Sequence, residues 1–96
     1  MTITSKQKHY LRGLAHSLEP YVIIGKNGLT SSSLTSINKA LADHELIKVR
    51  VKVGDKKKLG PSIQKETLCT VVGSIGKILI LYKKPEDEEN IKIHLP

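Results

Sequence analysis

Hydrophobic residues near the start of the chain recur at the spacing of a helix. Leu11, Leu14 and Leu18 lie three and four residues apart, so they fall on one side of an amphipathic first helix. Thr4 and Gln7 precede this stripe in the order of a capping box, in which each side chain satisfies a free backbone N–H group. The pattern therefore predicts a helix that begins just after Thr4.

A second helical stripe follows further along the chain. Leu34, Ile37 and Leu41 repeat at the same spacing within residues 31–44. Thr30 and the three serines after it supply hydroxyl groups that are suited to cap the start of a helix. We therefore expect a second amphipathic helix over residues 31–44.

The segment 46–53 alternates between apolar and basic residues, which is the period of a strand. One side carries the aliphatic residues Ile47, Val49, Val51 and Val53. The other side carries the cationic residues Lys48, Arg50 and Lys52. We expect the aliphatic side to be buried, because a shift of one residue would bury three charges. The cations either bind a partner or protect an exposed edge strand from aggregation.

Three further segments have the composition of strands, at residues 21–24, 70–75 and 78–82. The last of them is apolar on both sides, as expected of a central strand. Between the first and the second of these segments, Gly60 and Pro61 interrupt a helix-like pattern. Proline lacks a backbone N–H group and clashes with the preceding turn. A third helix therefore either begins at Pro61 or is kinked there.

Together these elements predict an α/β fold in the order αβαβαββ. Alternating strands and helices imply parallel pairs, and the tight turn before the last strand implies an antiparallel pair, so the four-stranded sheet is mixed. A chain of 96 residues forms one small domain. We place it in residues 1–85, followed by an acidic loop and C-terminal tail at 86–96 that could add a short edge strand.

The charge of the chain is strongly positive and unevenly distributed. Sixteen lysines and arginines stand against nine aspartates and glutamates, a formal net charge of +7, yet four of the acids form the run 86–89. Residues 1–85 hold fifteen basic and five acidic residues, a net charge of +10. Such a basic body is typical of proteins that bind nucleic acid, although solubility alone also accounts for charge.

Other classes of function lack the residues that they need. No run of about 18 apolar residues is present, so we expect no membrane-spanning helix. The single cysteine, Cys69, and the scattered histidines lack the spacing of a metal site, so we expect no metal and no other cofactor. The sequence contains no group of residues in a pattern typical of acid–base catalysis, so we do not expect an enzyme. The polar N-terminal residues are unlike a secretory signal, which predicts a cytoplasmic protein.

A glycine-flanked loop, GKNG at residues 25–28, joins the strand at 21–24 to the helix at 31–44. A strand, a glycine loop and a helix N-terminus together present backbone N–H groups to a phosphate. Gly25 and Gly28 have no Cβ atom, so a sugar-phosphate backbone can approach them closely. The motif by itself is equally compatible with a plain strand-to-helix turn.

Three segments, taken in order, closely resemble the CRM domain, the chloroplast RNA splicing and ribosome maturation family. They are KQKHYLRGLAHSLEPYVIIGKNGLT at residues 6–30, HELIKVRV at 44–51 and IGKILILYK at 75–83. The chain length matches the stand-alone bacterial members of YhbY type. The resemblance implies a fold like the C-terminal domain of bacterial translation initiation factor three. It also implies RNA binding and, for stand-alone members, an association with precursors of the large ribosomal subunit.

The resemblance places the family's G-x-x-G loop on the GKNG segment, and basic residues of the first helix and second strand extend it. The candidate RNA-binding residues are Gly25, Lys26, Asn27, Gly28, Lys6, Lys8, Arg12, Lys48, Arg50 and Lys52. We expect a non-catalytic protein that binds ribosomal RNA or pre-ribosomal particles, with no membrane and no small-molecule partner. The alternative is a protein-interaction module that docks on a ribosomal protein.

Overall fold

The structure, a computed structural model, describes residues 3–52 and 54–96. Within them, helices and strands alternate in the predicted order. Their bounds are α1 Ser5–Ala15, β1 Val22–Ile24, α2 Ser31–His44, β2 Leu46–Val51, α3 Lys56–Thr67, β3 Thr70–Ile75, β4 Ile78–Tyr82 and a single 3-10 turn at Glu88–Asn90. Thr4 and Gln7 form the predicted capping box of α1, and Thr30 caps α2.

The four strands form one mixed sheet in the order β1–β2–β4–β3. β1 and β2 are parallel, with α2 as the crossover between them, whereas β4 is antiparallel to both of its neighbours. β4 is therefore a central strand, as its uninterrupted apolar sequence predicts. β2 is also internal, so the interpretation of its charges as protection of an edge strand is wrong.

Helices cover the two faces of the sheet unequally. α2 and α3 pack on one face over an apolar core that includes Ile37, Ile47 and Ile63. α1 packs on the other face over a smaller core that includes Leu11 and Ile80. A helix is about 10 Å across and four strands span more than that, so one helix leaves part of the second face open.

The alternation along β2 has the predicted orientation. The buried side of the strand consists of Ile47, Val49 and Val51. The opposite side consists of half-buried Lys48 and exposed Arg50, followed by exposed Lys52 just past the strand end. Val53, the fourth aliphatic residue of the pattern, lies outside the described residues. The three cations therefore belong to the face on which α1 packs.

The third helix begins earlier than Pro61. α3 starts at Lys56, where the carboxylate of Asp55 accepts a bond from the Lys57 N–H group (2.9 Å), and it continues through Pro61. Pro61 is exposed, so the carbonyl group that loses its helical partner can turn to water. The ring of a proline normally clashes with the Cβ atom of the preceding residue, and Gly60 has none. Of the two alternatives, a helix start at Pro61 is therefore wrong, and Pro61 lies inside the helix.

The C-terminal tail packs on the sheet without becoming a strand. Residues 91–96 have no regular secondary structure, so the short edge strand does not form. Ile93 and Leu95 contact the core beneath α1. The backbone N–H groups of Lys92 and Ile93 donate to the carboxylate of Glu45, so they are not free to pair with a strand.

Candidate nucleic-acid interface

The GKNG segment forms a tight turn directly after β1. The N–H group of Gly28 donates to the carbonyl oxygen of Gly25 (3.0 Å), which closes the turn. Lys26 and Asn27 occupy the tip of the turn and are exposed. The side chains at the tip are therefore available to an external molecule.

The backbone of the turn requires a glycine at position 28 but not at position 25. Gly28 has φ = 70°, in the left-handed region where residues with a side chain are strained. Gly25 lies outside that region, and a Cβ atom added at either glycine would meet no non-adjacent residue within 4 Å. The conformation of the protein alone thus accounts for a glycine at position 28 but not at position 25. Open space beside a glycine is what a closely approaching molecule would need.

The start of α2 and the turn line a shared concavity, to which Thr30, Ser32 and Ser33 contribute. The Oγ1 atom of Thr30 accepts a bond from the N–H group of Ser33 (3.1 Å). With this cap in place, the N–H groups of Ser31 and Ser32 have no acceptor within the helix. These donors and the positive end of the helix dipole favour an anionic group in the concavity.

Basic side chains converge on the same end of the sheet. The N–H group of Lys52 donates to the carbonyl oxygen of Ile24 (2.9 Å), which fixes Lys52 beside the start of the turn. Arg50 lies directly across from Ile23 in the parallel pair. Both cations are exposed, as is Lys26. Lys26 lines the concavity itself, whereas Arg50 and Lys52 lie at the same end of the sheet on the face opposite α2.

The sequence matches a known family over most of its length. The family model for the CRS1 / YhbY (CRM) domain covers residues 3–83. The chain belongs to the CRM domain family. A Haemophilus influenzae relative, named RNA-binding protein, is 46% identical over 98 residues, which span 99% of this chain and 96% of the relative. The Bacillus subtilis relative, named probable RNA-binding protein YqeI, is 38% identical and spans 98% and 99% of the two chains.

The architecture of this CRM domain is shared with a protein of known structure. A solution structure of a hypothetical protein from Staphylococcus aureus, described as a candidate RNA-binding protein, superposes with a TM-score of 0.82. The two chains are 39% identical, and the match covers 99% of this chain and 100% of the other. The predicted α/β fold, with three helices on a mixed four-stranded sheet, is confirmed.

In this CRM domain, Lys48 is engaged by the protein itself. Its Nζ atom donates to the carbonyl oxygen of Leu18 (3.0 Å) and lies 3.5 Å from that of His16. Both carbonyl groups belong to the segment that ends α1, whose C-cap is His16. Lys48 therefore ties the end of α1 to β2, and its charge is less available to an external phosphate than that of Arg50.

The basic residues of α1 do not act as one group. The guanidinium of Arg12 donates to the carbonyl oxygen of Val72 (2.9 Å), and its aliphatic part covers Gly73, where a Cβ atom would lie 2.6 Å from it. Lys8 lies one helical turn before Arg12 on the same side of α1, whereas Lys6 points elsewhere around the helix. Of the three predicted residues, Arg12 is the one that the structure fixes against the sheet.

The sequence did not predict three further surface residues at the end of the sheet that carries the GKNG turn, which we call the turn end. Lys77 is exposed in the turn between β3 and β4, and its carbonyl oxygen accepts a bond from the Val51 N–H group (2.7 Å). Ile23 and Ile75 are hydrophobic, yet 56% and 64% of their surface is exposed. The exposure of Lys77 could have been predicted from the sequence, because a lysine in a hairpin turn normally faces solvent. The exposure of the isoleucines could not, because apolar strand residues are normally covered.

Other chemistry has little support in this CRM domain. Among residues 3–52 and 54–96, no group of three or more His, Cys, Asp or Glu could hold a metal ion. Burial raises the pKa of the Cys69 thiol, which disfavours the nucleophilic thiolate. In the same part of the chain, none of the helices has the length and apolar character required to cross a bilayer.

Proposed function

We propose that this chain is a non-catalytic RNA-binding protein that holds the RNA backbone at the GKNG turn. The observation that carries the proposal is the open space beside Gly25, at the start of α2 and with the exposed Lys26 in the turn. The exposed cations Arg50 and Lys52 lie at the same end of the sheet. Relatives that are named as RNA-binding proteins support it. The net charge of +7 adds a long-range attraction for a polyanion.

In this proposal a phosphate group lies in the concavity between the turn and α2. The N–H groups of Ser31 and Ser32 donate to the phosphate oxygens, and Lys26 adds a mobile positive charge. Arg50 and Lys52 continue the contact along the sheet. Such contacts position the RNA without reading its sequence. Of the other predicted residues, Lys8 and Arg12 extend the basic surface along one side of α1, and Lys6 adds charge elsewhere on the helix. Lys48 acts mainly by holding α1.

Replacing Lys26 tests the phosphate contact. We expect Lys26→Ala to weaken RNA binding about fivefold, which corresponds to about 1 kcal/mol, on all RNA sequences alike. The slope of log affinity against log salt should flatten by about 0.7, the value for one phosphate contact on a single strand. Lys65→Ala is the matched control, because Lys65 is an exposed lysine in the last turn of α3. Equal affinities and slopes for the two folded variants would rule out the contact.

We further propose that the RNA is ribosomal RNA in precursors of the large ribosomal subunit, bound in the cytoplasm during ribosome assembly. The resemblance to stand-alone CRM proteins motivates this choice of partner. Gradient sedimentation of a cell extract tests it: the protein should travel with large-subunit precursors and leave them when Lys26 is replaced. A protein that stays on the particles after replacement of Lys26 and addition of competitor RNA would instead be docked on a ribosomal protein.

A further inference from the structure

Four residues form a row across the whole sheet at the turn end of the molecule. Ile23 in β1 lies across from Arg50 in β2, Arg50 lies across from Ile78 in β4, and Ile78 lies across from Ile75 in β3. Residues directly opposite each other in paired strands project from the same face. The buried neighbours of Arg50 face α2 and α3, so this isoleucine row (Ile23, Arg50, Ile78 and Ile75) lies on the opposite face.

α1 packs on that face but does not cover the isoleucine row. Its buried residues contact the core that contains Leu46, Val72 and Ile80. Arg12 covers Gly73, which is the last position of β3 that α1 reaches before Ile75. Beyond it, Ile23 and Ile75 keep 56% and 64% of their surface exposed. Exposed apolar side chains that belong to one continuous row on a sheet face are typical of a binding surface.

The charged residues within the four strands are all basic. The sequences of the four strands contain no aspartate or glutamate. Arg50 lies within the row, and the exposed cations Lys52 and Lys77 lie just beyond it. The backbone N–H group of Lys52 donates to the carbonyl oxygen of Ile24, which immediately precedes Gly25. The isoleucine row is therefore adjacent to the GKNG turn. A sheet face that combines apolar and cationic side chains, and whose strands contain no acid, complements nucleic acid better than it complements the surface of a typical protein.

We propose that the isoleucine row receives unpaired RNA bases, so that this protein binds a single-stranded segment, loop or bulge rather than a continuous duplex. The inference rests on the proposed function, because the backbone that carries those bases is the one held at the GKNG turn. In an A-form duplex the base planes are stacked inside and cannot reach apolar side chains on a flat sheet. Unpaired bases can lie against Ile23 and Ile75 and stack on the guanidinium of Arg50.

A pair of substitutions at the two exposed isoleucines tests the inference. Ile23→Thr combined with Ile75→Thr keeps the branched shape that strands favour and removes no charge. The probes are a single-stranded RNA and a blunt-ended, fully paired RNA duplex with the same number of phosphates. We expect the parent to prefer the single strand, and the double variant to lose about threefold to tenfold in affinity for it alone. Because no charge changes, the salt dependence should stay that of the parent.

The control variant is Leu68→Asn. Leu68 is 78% exposed, has φ = 61° and follows α3, away from the GKNG turn. Asparagine tolerates the left-handed conformation, so this variant removes an exposed apolar side chain without adding strain. Its affinity for both RNA probes should equal that of the parent.

Two outcomes would overturn the inference while leaving the proposed function intact. In the first, the double variant is folded by circular dichroism and binds the single strand as the parent does, whereas Lys26→Ala still weakens binding. In the second, the double variant keeps its RNA affinity but no longer sediments with ribosomal particles, so the isoleucine row contacts a protein. If Lys26→Ala also leaves RNA binding unchanged, the proposed function itself fails.

Discussion

Gly25 and Gly28 flank one turn, and the structure separates their roles. The left-handed φ of Gly28 is a property of the free protein, and any side chain there strains the backbone. Gly25 has neither a left-handed φ nor a crowded Cβ position, so folding does not require a glycine at this site. A glycine that folding does not require is a stronger indication of a binding contact than one that folding does require.

Substitutions at the two glycines should therefore affect different properties, stability at Gly28 and RNA binding at Gly25. Gly28→Ala is expected to lower the free energy of unfolding by about 1 kcal/mol, through strain in the left-handed region. Gly25→Val should leave that free energy nearly unchanged, because its side chain projects into open space, yet it should weaken RNA binding by keeping the backbone at a distance. Urea denaturation and RNA titration of both variants measure the two effects. A Gly25→Val protein that is stable and binds RNA normally would reduce the GKNG segment to a turn.

At the scale of elements, Glu45 connects α2, β2, β4 and the tail. It is 2% exposed, ends α2 with φ = 63°, and accepts a bond at its carbonyl oxygen from the Lys83 N–H group (2.9 Å). Its carboxylate accepts the backbone N–H groups of Lys92 and Ile93. Burial, and secondarily this carboxylate, raises the pKa of the nearby Tyr82 phenol. The strained backbone of Glu45 is thus held in place by bonds to three separate segments.

Removing the charge of Glu45 should loosen the tail. Glu45→Gln replaces one accepting oxygen with an N–H₂ group that faces backbone donors, so we expect a loss of about 1–3 kcal/mol in the free energy of unfolding. Glu66→Gln, an exposed glutamate in α3, is the matched control and should change stability by less than about 0.5 kcal/mol. Chemical denaturation measures both. Equal midpoints for the two variants would mean that the bonds to the tail contribute nothing.

At the scale of the whole molecule, positive and negative charge are segregated along the chain. The acidic run 86–89 follows β4 and Lys83 and leads into the tail that Glu45 holds. The four strands contain two cations, Lys48 and Arg50, and no acids. Deleting residues 86–96 would remove both the acidic run and the apolar residues that cover the core beneath α1, so it would mix two effects.

Neutralising the acidic run separates charge from packing. The variant Glu86→Gln, Asp87→Asn, Glu88→Gln, Glu89→Gln raises the net charge from +7 to +11 and leaves residues 91–96 in place. We expect RNA affinity that is unchanged or stronger, because carboxylates repel the phosphate groups of RNA. Deletion of 86–96 should show the same trend in affinity but a clear loss of stability. A large drop in RNA affinity for the folded, neutralised protein would place the acidic run in the interface.

Local chemistry in the sequence determined the element order and most element bounds. The capping box at Thr4, the stripe through Ile37 and the alternation of β2 depend on neighbours within a few residues, so they could be read directly. The uninterrupted apolar run of β4 likewise identified a central strand. The GKNG turn was also visible as a strand, loop and helix, because its chemistry lies within one short segment.

Contacts between distant segments decided what the sequence left open. The failure of the tail to form a strand depends on Glu45, nearly fifty residues earlier. The start of α3 before Pro61 is the exception, because it depends on the local cap at Asp55 and on Gly60 beside the ring. Lys48 looked equivalent to Arg50 in the alternating pattern, yet only Lys48 meets the end of α1. The isoleucine row exists only because strand pairing brings four separate segments into register while a single helix covers part of the face. A local pattern records which side of a strand a residue occupies, but the coverage of that side is a property of the whole fold.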